Sequence, residues 1–118
     1  MSTAVKLISS MATRLWLGDA VLAWAQRGGQ PPIAVESVGG VDAAKRVRAG
    51  EVVDLVVLAA DAIDKLIADG KVVAGSRVDL VDSGVAVAVR KGATRPAIDS
   101  EAALREAVLA ARTGGYST

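Results

Sequence analysis

Residues 54–59, DLVVLA, are apolar at every position after the aspartate. Unbroken apolarity in so short a run is the pattern of a strand covered on both faces, since a strand with one wet face alternates. A chain holding such a strand must therefore place structure above and below it. The next residues, DAIDKLIADG, supply a helix. Asp61 is its expected N-cap, Ile63, Leu66 and Ile67 fall at helical spacing, and Gly70 stops it.

The same unit occurs twice upstream. AVKLI (residues 4–8) reads as a buried strand and leads into a helix over 12–27, which GGQPP terminates. IAVESV (33–38) is rich in β-branched residues; a Gly-Gly break and a short helix, VDAAKRVRAG, follow it. Downstream, VVAGSRVDLVDS is less regular. GVAVAVRKG (84–92) reads as a further strand, with Val85, Val87 and Val89 on one face and Ala86, Ala88 and Arg90 on the other. A loop and a Ser-Glu-capped helix, SEAALREAVLAAR, precede the final TGGYST, where another strand is expected to open. Strands alternating with helices at this spacing predict an α/β fold, a mostly parallel sheet flanked by helices.

Composition narrows the chemistry. Of 118 residues, 52% are apolar but only 3% aromatic, so the core must be built from Val, Ala, Leu and Ile. There is no Cys and no His, which removes disulfides, thiolate nucleophiles, Cys/His zinc sites and a Ser-His-Asp relay. A net charge of +1 lacks the basic excess of a phosphate-gripping protein, and no nucleic-acid partner is expected. No apolar run reaches the roughly 18 residues of a membrane-spanning helix. The first strand begins without a basic n-region or apolar h-region before it, so no secretory signal is read.

In an open parallel sheet, ligands bind beyond the carboxyl ends of the strands. Three loops fall there: Ser9-Ser10, Gly39-Gly40 with Val41, and Ala59-Ala60-Asp61. The bland reading of Ser9 or Ser10 is a helix cap, worth about 1 kcal/mol. The functional reading is a corner where a hydroxyl and helix N–H groups face an oxyanion, aided by the helix dipole. Gly39-Gly40 reads as a plain turn or as a place of close backbone approach to a ligand. Neither G-x-G-x-x-G nor a P-loop motif is present. Asp54, Asp61 and Asp64 are read as structural rather than metal-binding, and the KRVR run (45–48) as a solvated helix face. Two anion-friendly corners side by side describe the wall of a small-anion cleft.

The stretches VKLISSMATRL, SVGGVDAAKRVRAGEVVDLVVLAADAIDKLIADGKVV, VDLVDSGVAVAVRKGA and LREAVLAARTGGYST resemble bacterial extracellular solute-binding proteins of the molybdate-binding type. The strongest piece is the A-G-x-x-x-D-L-V-V-L-A-A-D pattern over residues 49–61. The resemblance runs along essentially the whole chain. It implies a type II periplasmic-binding-protein fold, two α/β lobes clamping a ligand, in members roughly twice this length. On that basis residues 1–82 are expected to be lobe one, and 83–118 the crossover strand, a helix and the start of an incomplete second lobe. The family's first oxyanion-binding serine falls on Ser9 or Ser10, with Ser10 the better match. The second falls within Gly39-Gly40 and loses its hydroxyl, leaving backbone N–H groups of Gly40 and Val41; Ala60 completes the expected ligand-binding set.

The resemblance implies binding of a small anion, a molybdate-like oxyanion or a small carboxylate, for an ABC transporter permease, without a cofactor or a bound metal. The alternative is a cytoplasmic ligand-sensing domain of a regulator with the same fold. The family resemblance implies the periplasm and the missing signal the cytoplasm, so the compartment stays open. No nucleophile stands beside a base in the sequence, so an enzyme is not expected. A lone first lobe would expose sheet edge and apolar face, so self-association of the chain is expected.

Overall fold

The structure, a computed structural model, describes residues 3–116. Its elements run β1 (Val5–Ser10), a 3-10 turn (Met11–Thr13), α1 (Arg14–Gln26), β2 (Ile33–Val38), α2 (Gly40–Arg48), β3 (Leu55–Val57), α3 (Ala60–Ala68) and α4 (Glu101–Ala110). The chain is a mixed α/β protein with a small parallel sheet flanked by helices. It divides into two compact units, one running through Ser83 and the other beginning at Gly84.

In the first unit the strand order is β2-β1-β3, with β1 parallel to both neighbours. Val5 pairs with Ile33 and Ser10 with Val38 along one edge of β1, while Leu7 to Ser9 pair with Leu55 to Val57 along the other. The connection from β1 to β2 moves one way across the sheet, and that from β2 to β3 moves back past β1. Right-handed crossovers therefore place α1 and α2 on opposite faces. β1 reports both coverings, because successive strand side chains point to opposite faces. Ile8 is 1% exposed and packs with Ala43 and Val47 of α2 and Leu66 of α3. Leu7, 7% exposed, points the other way and lines a groove together with Leu17, the buried residue of α1. Gly50 and Gly70, at φ +93° and +73°, turn the chain out of α2 and α3 in the left-handed conformation that glycine adopts without a Cβ clash.

Several expectations shift in detail. α3 begins at Ala60 with Ala59 as its N-cap residue, so Asp61 sits inside the first turn instead of capping it. Among the described residues the strand expected over 84–92 does not form: no ladder with a described residue includes these residues, Val85 is 98% exposed, and the one backbone hydrogen bond of the stretch to a described residue is from Ala93 N–H to the Arg90 carbonyl. Alternating Val and Ala give strand propensity, but a strand exists only where a neighbour accepts its ladder, and none does so among the described residues. In the second unit α4 has the expected cap, with Ser100 Oγ accepting from Ala103 N–H at 3.0 Å. The strand expected at YST falls on Ser117 and Thr118, outside the described residues; Tyr116 before them is in no strand.

Candidate functional site

All three strands are parallel, so all three strand-to-helix corners lie at one end of the sheet, with the Ser9-Ser10 corner in the middle. The central corner separates its two serines by role. Ser9 is fully buried, and its hydroxyl hydrogen-bonds the Ser37 hydroxyl across the β1–β2 pair at 2.7 Å and donates to the Ser10 carbonyl at 3.1 Å. Ser10 is half-buried with extended backbone (φ −70°, ψ 165°) and caps nothing with its side chain. Among the described residues its hydroxyl has no partner.

The second corner touches the first. A Cβ placed on Gly40 would lie 3.6 Å from the Ser10 Cβ, so the start of α2 is beside the serine. Gly39 is the N-cap residue of α2 and has no side chain to offer, and its carbonyl already accepts from Ala43 N–H. Ala59 stands in the same way before α3, with its carbonyl accepting from Ile63 N–H. The first-turn N–H groups of α2 and α3, those of Gly40, Val41 and Ala60 among them, thus have no capping side chain. The contrast with Ser100 at α4 is direct, since there a hydroxyl fills that role. Uncapped helix starts carry partial positive charge and free donors. Val41 and Ala60 are exposed, and Gly39 and Gly40 half-buried.

Ser10, Ala59 and Ala60 also line an open groove of about 1210 Å³, mostly walled by apolar side chains of the first unit; Gly39, Gly40 and Val41 do not line it. Thr13 lines it too, and its buried Oγ1 has no hydrogen-bond partner among the described residues. Sequence reading passed over Thr13 and Ser37. Threonine just inside a helix start is ordinary, and the Ser9–Ser37 contact depends on strand register, which local pattern does not give.

Two of the three acidic candidates, Asp54 and Asp64, have structural partners. The Asp54 carboxylate accepts from Lys6 N–H at 2.8 Å while Asp54 N–H donates to the Lys6 carbonyl, extending the β1–β3 pairing by side chain and backbone together. Asp64 forms an ion pair with Arg77 at 2.9 Å. In the KRVR run, Arg46 bridges Glu36 at 2.7 Å and Glu51 at 2.8 Å, and Arg48 lies 3.4 Å from Asp69. The Arg46 hydrogen bond, then its charge, holds the Glu36 carboxyl below the usual glutamate range. The same bonds, to Glu36 first and then Glu51, push the Arg46 guanidinium up.

Residues 5–117 match the family model described as bacterial extracellular solute-binding protein. The chain belongs to that family. A curated relative, named aconitate isomerase, from a Pseudomonas species, is 40% identical over 72 residues, which are 61% of this chain and 28% of the relative. The matched stretch thus spans well under a third of that relative's length. No solved structure matches the chain. The relative's name corrects the expectation that this is not an enzyme, since this much identity is shared with a protein named as one. The expectation leaned on the absence of His and Cys, which removes only the chemistry those residues carry. Carboxylates, lysines and a tyrosine remain as acids and bases.

Proposed function

We propose that this chain supplies one wall of a binding site for a small anion, a carboxylate by preference, at the carboxyl end of its sheet. Membership of the solute-binding family supports ligand binding in general. The observation that carries the anion is the meeting of the unpartnered Ser10 hydroxyl with the uncapped start of α2 at Gly40. A hydroxyl and first-turn N–H groups are all hydrogen-bond donors at a positive helix end, the environment an oxyanion or carboxylate requires. Ser10, Gly40 and Val41 are assigned direct contact, and Ala60 a donor N–H from the third corner. Ser9 is assigned to the scaffold, because its hydroxyl is already spent on Ser37. Gly39 shapes the turn.

The preference for a carboxylate over molybdate rests on two points. A glycine pair stands where a second binding serine was expected, and the relative is named for aconitate, itself a carboxylate anion. Delivery of that anion to a membrane transporter is the role proposed for the protein within its family. The relative's name also favours a second reading, in which the site holds a carboxylate for isomerisation.

Calorimetry against aconitate, citrate, sulfate and molybdate tests the binding proposal. Heat of binding for a carboxylate, abolished or weakened at least tenfold by Ser10→Ala, is expected. Absence of binding to all four, or a Ser10→Ala variant that binds equally well, overturns it. Chromatographic separation of aconitate isomers after incubation with the protein decides the second reading.

A further inference from the structure

Ser9 and Ser37 face each other at one register of the β1–β2 pair, with their hydroxyls 2.7 Å apart. The Ser9 hydroxyl has one proton, and it goes to the Ser10 carbonyl at 3.1 Å. Ser37 is therefore the donor in the serine pair, and the hydroxyls form a chain from Ser37 to Ser9 to the Ser10 carbonyl. Successive strand side chains point to opposite faces, so this chain lies on the face of Leu7. Ser10 shares the other face with Ile8, where it meets the start of α2 at Gly40. Ser37 also stands on the strand that leads into α2, three residues before Gly40. One hydrogen-bonded pair thus ties together two strand ends, one carrying Ser10 and the other the Gly40 corner.

We propose that Ser37 is a positioning residue for the anion site: it does not touch the ligand, and through Ser9 it fixes the Ser10 peptide and the separation of Ser10 from α2. The inference rests on the reading of the Ser10–Gly40 corner as an anion site. A serine side chain goes where its backbone aims it. The bond to the Ser10 carbonyl holds that residue at ψ 165°, and Ser37 is the donor that keeps Ser9 Oγ in place to make it. A hydroxyl that accepts a hydrogen bond also donates a stronger one, so Ser37 tightens the bond to Ser10. The separation matters because one anion must accept from both the Ser10 hydroxyl and the α2 N–H groups. Hydrogen bonds weaken steeply once distance or angle leaves the favoured range.

Calorimetry of the full chain with aconitate and citrate, beside urea unfolding, tests the role. Ser37 is half-buried, and Ser37→Ala should stay folded. It should weaken carboxylate binding about fivefold, the ratio that one net hydrogen bond is worth. Ser37→Thr keeps the hydroxyl and should bind as the wild type does. In a Ser10→Ala background Ser37→Ala should cost nothing further, because Ser37 acts through Ser10. Backbone amide shifts of Ser10 and Gly40 in the ligand-free protein supply a readout that needs no binding. Ser37→Ala should move them, and Ser37→Thr should leave them in place. A wild type that binds neither carboxylate overturns the anion reading, while the shifts still decide whether Ser37 holds Ser10. The positioning role alone is overturned by unchanged binding in Ser37→Ala, a loss that threonine does not restore, or an equal further loss in Ser10→Ala. Unmoved shifts overturn it too, and so does a Ser37→Ala that fails to fold, which assigns Ser37 to stability instead.

Discussion

Ser9 and Ser37 hold their hydroxyls 2.7 Å apart at the same register of the β1–β2 pair, with Ser9 fully buried. Next to them, Ser10 points a half-buried hydroxyl at no partner within the described chain. Neighbours in sequence thus face different demands, one building the sheet and the other facing the corner. Ser9→Ala removes a buried hydrogen bond and should destabilise the fold by about 1–2 kcal/mol. Ser10→Ala should stay within about 0.5 kcal/mol of wild type. Urea unfolding of the two variants checks the contrast, and equal effects would merge the roles assigned here.

Leu66 is fully buried against Ile8, Ala43 and Val47, so its truncation leaves a void between α3 and side chains from β1 and α2. Leu66→Ala should cost about 2–5 kcal/mol. The measurement is the urea midpoint at an unchanged m-value, since a changed m-value would signal a different unfolded or native state.

Gly40→Ala separates binding from stability. The new Cβ would meet Ser10 at 3.6 Å, ordinary van der Waals contact, and α2 should be stabilised by roughly 0.4–1 kcal/mol. The same methyl enters the space assigned to the anion, so carboxylate affinity should fall. Retained affinity in a stabilised variant would move the ligand away from this corner.

Glu36 gives a pH prediction of defined sign. Its carboxyl is held below the ordinary value of 4.5 by the hydrogen bond from Arg46 and then by the Arg46 charge. A depressed carboxyl stabilises the fold above its unfolded value and loses that contribution as pH falls through the lower folded value. The pair is exposed, so the contribution is small and weakens with salt. Carbon-detected NMR titration should place Glu36 below the ordinary value of 4.5. Arg46→Gln should return it to the ordinary range, and a Glu36 that does not move would exclude Arg46 as the cause.

Ser100→Ala removes the Oγ that accepts from Ala103 N–H at 3.0 Å and should destabilise α4 by about 1 kcal/mol. Amide exchange within 101–110 is the appropriate measurement, because α4 belongs to the unit that begins at Gly84. Faster exchange there, with the Ile8 cluster unchanged, is the expected outcome.

The order of β1, α1, β2, α2, β3, α3 and α4 was legible in the chain because each depends on local pattern: a short apolar run, an apolar face at helical spacing, and a glycine or proline at the end. So was the gathering of the Ser10, Gly40 and Ala60 corners, since parallel strands bring them to one end of the sheet whatever their sideways order. Three things were decided only in three dimensions. The order β2-β1-β3 put Ser9 opposite Ser37, and that pairing, not the identity of either serine, took Ser9 out of the candidate site. Ala59 rather than Asp61 precedes α3, because a helix starts where backbone hydrogen bonding allows and an acidic residue serves as well inside the first turn. Residues 84–92 carry the alternation of a strand and form none, because a helix closes its hydrogen bonds within its own segment whereas a strand requires a neighbour that its own sequence cannot supply.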